Sequence, residues 1–277
     1  MNRATRGPQV LSEHVGSLKS RVGGFVPGSH VAFRGCDLHG ELKDMEWLAL
    51  YVFGITGRRF SAAQVRLVNA IWSYTSYPDA RLWNNRVAAL AGSARSTGNL
   101  GMSAALAVSE ASIYGRGIDI RAIEFLLGAR RCEEAGGSLE DYARTELAAR
   151  RSIAGYGRPL TSVDERIAPI LALARELGLA DGDHLRLAYR IEEMLLSGRW
   201  RLKLNYAGVV AALCADLGFS RREYYLFSFP AFLAGMAPCY LDAVERPEGT
   251  LFPVPCRMVR YEGVAPRTWH PASRDAA

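Results

Sequence analysis

Gly155-Tyr156-Gly157-Arg158-Pro159-Leu160-Thr161-Ser162-Val163-Asp164-Glu165-Arg166, leading into Ile167, Ile170, Leu171 and Leu173, is the stretch that decides the fold class. Two glycines one residue apart mark tight backbone geometry. Ser162 followed three residues later by Glu165 matches the capping box, in which a hydroxyl and a carboxylate reciprocally satisfy orphan backbone donors at a helix start. The apolar residues beyond it recur at helical spacing, so the stretch reads as a turn running into an amphipathic helix. Ser61-x-x-Gln64, followed by Val65, Leu67, Val68, Ile71 and Trp72, repeats the signature, as does Ser220-x-x-Glu223. Strand signals are confined to short runs near Val31-Ala32-Phe33 and Met258-Val259-Arg260. The pattern predicts an all-α chain.

Working outward, Val87 to Ile113 is dominated by Ala, Gly and Ser with few charges, which allows close backbone approach and reads as buried helix. Glu133 to Arg151 reads as a polar amphipathic helix that starts near Ser138 or Asp141 and turns Leu139, Tyr142, Leu147 and Ile153 inward. No repeat, heptad array or low-complexity tract is present. The first residues and Pro271 to Ala277 read as loose ends.

The 277 residues, 49% apolar and 22% charged, have room for one large domain or two modest ones. No run of about 18 apolar residues is read and no signal-like start, so the expectation is a cytoplasmic protein without a membrane partner. Five scattered cysteines without a CxxC pair read as reduced thiols, mostly in the core, and five histidines without ligand spacing indicate no metal site. The net charge of +6 is spread along the chain, which argues against nucleic acid and suits an anionic small molecule. Arg199-Trp200-Arg201-Leu202-Lys203 either meets phosphates or is a solvated helix edge with a packed Trp200.

Phe33-Arg34-Gly35-Cys36-Asp37-Leu38-His39-Gly40-Glu41-Leu42 is similar to the RGY-x-[IL]-x-x-L segment of the citrate synthase family. Arg86 to Gly115 resembles its Ala/Gly/Ser-rich helix ending in HGGA. Gly155 to Leu160 with Asp164-Glu165-Arg166 resembles GFGHRVY and DPR, and Leu204-Asn205-Tyr206-Ala207-Gly208 with Asp216-Leu217-Gly218 resembles NVDG and the LG after it. Glu245-Arg246-Pro247 and Tyr261-Glu262-Gly263 resemble the terminal RP and YxG. The length resembles the short citryl-CoA lyase branch. This resemblance implies a citrate synthase-like homodimer, with a large helical domain (1–115 and 219–277), a smaller inserted helical domain (116–218) and the active site in the cleft between them.

In that family a carboxylate takes a proton from the methyl of an acetyl thioester, one His stabilises the enol, and a second His protonates the acceptor carbonyl. The resemblance puts Tyr114 at the first His, Arg158 at the second and Ala207 at the carboxylate, so all three positions are substituted. Tyr114 and Arg158 remain candidate catalytic residues, because a phenol donates a hydrogen bond and a guanidinium stabilises an oxyanion. Ala207 does neither. Arg166 corresponds to a carboxylate-gripping Arg, whereas the second such position falls on Phe232. Arg116 adds a cation inside the HGGA-like turn, and Pro159 replaces the Arg after the second His. Arg166, Asn205, Tyr206 and Arg116 are the candidate substrate-binding residues.

Each has a structural alternative: Tyr114 as a packed aromatic, Arg158 and Arg166 in ion pairs, Asn205 and Tyr206 bonded to core backbone. Two functions fit: a repurposed acyltransferase or lyase on a coenzyme A thioester, with no permanently bound cofactor, or a non-catalytic ligand-binding or regulatory partner. The small-molecule partner would be an acyl thioester or organic acid.

Overall fold

A computed structural model describes residues 7–16, 19–113, 115–158, 164–251, 254–265 and 267. After α1 (Pro8–His14) comes a small antiparallel sheet, β1 (Gly23–Val26), β2 (His30–Phe33) and β3 (Cys36–Asp37), in that order. It docks on α2 (Trp47–Thr56): the Phe33 ring meets Phe53 edge-on at 5.8 Å, and Arg34 donates to the Gly54 carbonyl at 2.7 and 3.0 Å. The expected strand at Val31–Phe33 is β2. The one expected at Met258–Arg260 is absent among the described residues, where a short 3-10 turn, Cys256–Met258, runs into extended chain.

The remainder is helical: α3 (Ala62–Thr75), α4 (Trp83–Ser93), α5 (Gly98–Val108), α6 (Arg116–Glu134), α7 (Leu139–Arg150), α8 (Ile167–Glu176), α9 (Asp183–Ser197), α10 (Tyr206–Asp216), α11 (Arg221–Ser228) and α12 (Leu233–Glu245). Both N-termini at Ser61 and Ser220 carry complete capping boxes, and Ser138 caps α7. The box expected at Ser162 falls on a residue outside the description. The helix after it begins only at Ile167, with Arg166 as its N-cap.

α10 is the hub. Nine of its residues are buried, all but Ala207 and Asp216, because it is apolar or small all round and is packed on every side. Each fully buried Val or Leu contributes roughly 1.5–3 kcal/mol. The main core gathers around it from α2, α3 and α6 to α11, so it takes in residues on both sides of positions 115 and 218.

α4, α5 and α12 form a second cluster around Ala88, Ala105 and Met236. Gly92 and Gly101 let these helices close up: a Cβ on Gly101 would stand 2.9 Å from that of Ala91, and one on Gly92 would collide with the Tyr240 carbonyl. The expectation of buried helix from Val87 to Ile113 needs correction. The stretch is two helices, and α5 buries only Gly101 and Ala105 while Leu100 and Val108 lie exposed. Small residues permit close packing on one side without guaranteeing cover on the other.

Two other readings change. Contrary to the expectation of no long apolar run, Arg221–Glu245 is long and apolar enough to cross a membrane. Here it forms α11 and α12, which bury Tyr224, Phe227 and Met236 in the cores. All five cysteines are free, but only Cys214 and Cys239 are buried.

Candidate functional site

Two chain segments are drawn together at the N-terminus of α10. Tyr156 bridges to Leu204, Asn205 N–H donates to the Gly155 carbonyl at 2.9 Å, and Gly157 N–H donates to the Lys203 carbonyl at 2.7 Å. Gly155 makes this possible. Its φ is +90°, and a Cβ there would stand 2.8 Å from the Gly208 Cα, so neither glycine tolerates a side chain without a shift. Gly115, just before α6, is as tight: a Cβ would lie 2.7 Å from the carbonyl oxygens of Ser109 and Ala111.

These segments enclose a cavity of about 550 Å³, within the usual range for a small-molecule site. Gly115, Arg158, Arg166, Asn205, Tyr206, Ala207 and Phe232 all line it. Its other walls are largely apolar, from α3, α4 and α11, with Trp72, Trp83 and Phe227 prominent. Tyr114 and Pro159 lie outside the described residues. Arg116 does not line the cavity: it is buried, ion-paired with Glu110, and stacked over Tyr225 and Phe229 at 4.4 and 4.9 Å.

The polar groups on the wall are largely engaged with one another. Arg166 donates to both oxygens of buried Asp164 at 2.8 Å and lies over the Tyr206 ring at 4.2 Å. Burial works to raise the Asp164 carboxyl, yet the Arg166 hydrogen bonds and charge outweigh it and hold the group below the usual carboxylate range. Arg158 pairs with Glu165 at 3.5 Å, and Glu165 accepts the Tyr77 hydroxyl at 2.6 Å. Burial, then that hydrogen bond, push the Tyr77 phenol up to about 12. Asn205 is spent on backbone, accepting from Gly208 N–H at 3.2 Å as the α10 N-cap and donating to the Gly157 carbonyl at 2.7 Å. The Tyr206 hydroxyl donates to the Ile71 carbonyl at 3.3 Å, and burial raises its phenol well beyond the ordinary range.

Several lining residues carry no sequence signal that singled them out. Asn84 and Asn85 are buried at the start of α4; Asn85 N–H donates to the Asn84 side chain, and the Asn85 amide donates to the Tyr77 and Asp79 carbonyls. Tyr224 lines the cavity from α11. Asp119, in the first turn of α6, was missed altogether. It is half-buried, and it lines the cavity. Desolvation pushes its carboxyl up to about 6 against the opposing pull of Arg166 and Arg116. Among the described residues no group of three or more His, Cys, Asp or Glu is arranged to hold a metal.

No protein-family profile and no curated protein matches the chain. Solved structures do. The chain matches citryl-CoA lyase from Hydrogenobacter thermophilus at a TM-score of 0.79 and 21% identity, over 91% of this chain and 97% of that one. The chain has a citrate synthase-like fold. Citrate synthase from Thermotoga maritima matches at 0.62 and 18% identity, covering 85% of this chain and 62% of that one. ATP citrate lyase from Methanothrix soehngenii, solved with citrate and coenzyme A, matches at 0.71 and 17% identity over 96% of this chain but 45% of its own. The citrate synthase-like architecture is thus shared over nearly the whole length of the citryl-CoA lyase, while such low identity leaves the chemistry to the cavity residues.

Proposed function

We propose that this is a citrate synthase-like enzyme with a remodelled site, which binds a coenzyme A thioester in the cavity and makes, breaks or hydrolyses an acyl bond. The convergence of Gly115, Arg158 and Ala207 on one cavity carries the reading, since these mark the three substituted segments. Arg158, Arg166 and the positive end of α10 suit a carboxylate or a developing oxyanion there. A structural neighbour holds citrate and coenzyme A, the same ligand chemistry. On this reading the working unit is a cytoplasmic homodimer, with a second copy covering the exposed apolar face of α5.

One observation favours a second reading, a non-catalytic ligand-binding or regulatory partner: Arg166 and Asn205 direct hydrogen bonds to the protein itself. Calorimetric titration of coenzyme A and acetyl coenzyme A, joined to a mass-spectrometric assay over a panel of acyl thioesters, separates them. Binding with turnover supports the enzyme. Binding without turnover on any thioester supports the partner, and no binding removes the enzyme reading.

A further inference from the structure

Two carboxylates line the cavity, and they are in opposite states. Asp164 has both oxygens on Arg166. Asp119 accepts no side-chain hydrogen bond and forms no ion pair among the described residues, although it sits in the field of Arg166 and Arg116. A half-buried carboxylate without a protein partner is costly, and such groups cluster where a ligand or a proton is handled.

The surroundings of Asp119 leave it alone in its pH range. Arg166 faces it from the start of α8 and Arg116 from its own helix. Cys214 faces it from α10 and Tyr224 from α11, and burial drives both of those groups far upward, so they stay protonated near neutrality. α7 and α9 meet later turns of α6, through Tyr142 against Phe125 and Asp183 against Arg130. Ala207, on the same cavity wall, has no ionisable group.

We propose that Asp119 is the proton-transferring catalytic residue of this cavity, acting on the carbon next to the carbonyl of the bound acyl group. The inference rests on the thioester reading above. In its carboxylate form Asp119 takes a proton from that carbon. The C–H electron pair becomes the C=C bond of an enolate, the carbonyl π pair moves onto oxygen, and the proton resides on Asp119. In reverse, protonated Asp119 returns it to carbon. The charge gained by the thioester oxygen arises in a cavity that carries Arg158 and Arg166, and an acid titrating near neutrality is matched to both directions.

Acetyl coenzyme A in deuterated water tests this, with α-hydrogen exchange followed by mass spectrometry and affinity followed by calorimetry. Wild type exchanges, with a rate that rises as pH increases through about 6 and then levels. Asp119→Asn slows exchange at least ~100-fold while keeping affinity within about threefold. Exchange that survives in Asp119→Asn, or a bound thioester that never exchanges, overturns the proposal and leaves the binding reading intact. No binding to wild type overturns both. Should Asp119→Asn fail to fold, the wild-type pH profile decides, and a profile with no inflection near 6 overturns the role of Asp119.

Discussion

Asp119 and Asp164 share a cavity and bias stability in opposite directions. Asp164 is held low, mainly by Arg166 against the cost of burial, so it stabilises the fold above the ordinary unfolded value near 4, and that contribution fades as pH falls through its lower folded value. Asp164→Asn leaves the Arg166 guanidinium half-buried without its counter-ion and should cost about 3 kcal/mol in urea denaturation at neutral pH. Asp119 is raised to about 6, so the folded chain binds its proton more tightly than the unfolded chain. Stability is therefore lost as pH rises from about 4 to about 6 and is level above. Asp119→Asn should be more stable than wild type by about 3 kcal/mol near pH 7.5, and the two should converge near pH 4, as read from urea midpoints. A variant that is firmer yet inactive is the usual sign of a site bought at the expense of stability. At this scale the sequence was legible where a motif was present: Arg158, Arg166, Asn205, Tyr206 and Phe232 all reach the cavity. Asp119 was not legible, because an acid in a first helical turn reads as a complement to the helix dipole, and only the packing of α6 against α10 and α11 turns it toward a void.

Local chemistry placed most elements well and failed where cover comes from outside the element. Ser220→Ala removes half of a complete capping box and should cost about 1 kcal/mol, measurable as a shift in urea midpoint without loss of helix content. Gly155→Ala should cost more, roughly 1–3 kcal/mol, because a positive φ and the 2.8 Å approach to the Gly208 Cα act together. It should also weaken ligand binding, since the same contact fixes the loop carrying Arg158. Serine caps and glycine turns are visible in sequence because they answer backbone requirements within a few residues. The fate of α5 is not: Ala, Gly and Ser dictate how near a neighbour can come, whereas exposure of Leu100 and Val108 depends on what else arrives. Strand prediction failed at Met258–Arg260 for a related reason, because β-branched and extended propensity without a pairing edge gives extended chain rather than sheet.

For the molecule as a whole, six weak motifs in consistent order announced the citrate synthase-like fold, and two of them, at Gly155 and Leu204, meet at the N-terminus of α10. The apolar face of α5 should be covered by a second copy. Sedimentation should show a dimer, and Leu100→Lys should shift it toward monomer by weakening association at least ~10-fold. The proposed chemistry depends on the cavity at the α10 N-terminus being the ligand site. Ala207→Trp would fill that cavity from its own wall, so calorimetric titration of acetyl coenzyme A against wild type and Ala207→Trp, each folded by circular dichroism, is the most direct test. The expected result is saturable binding to wild type and a loss of at least ~10-fold in the variant; equal binding to both, or none to wild type, would contradict it.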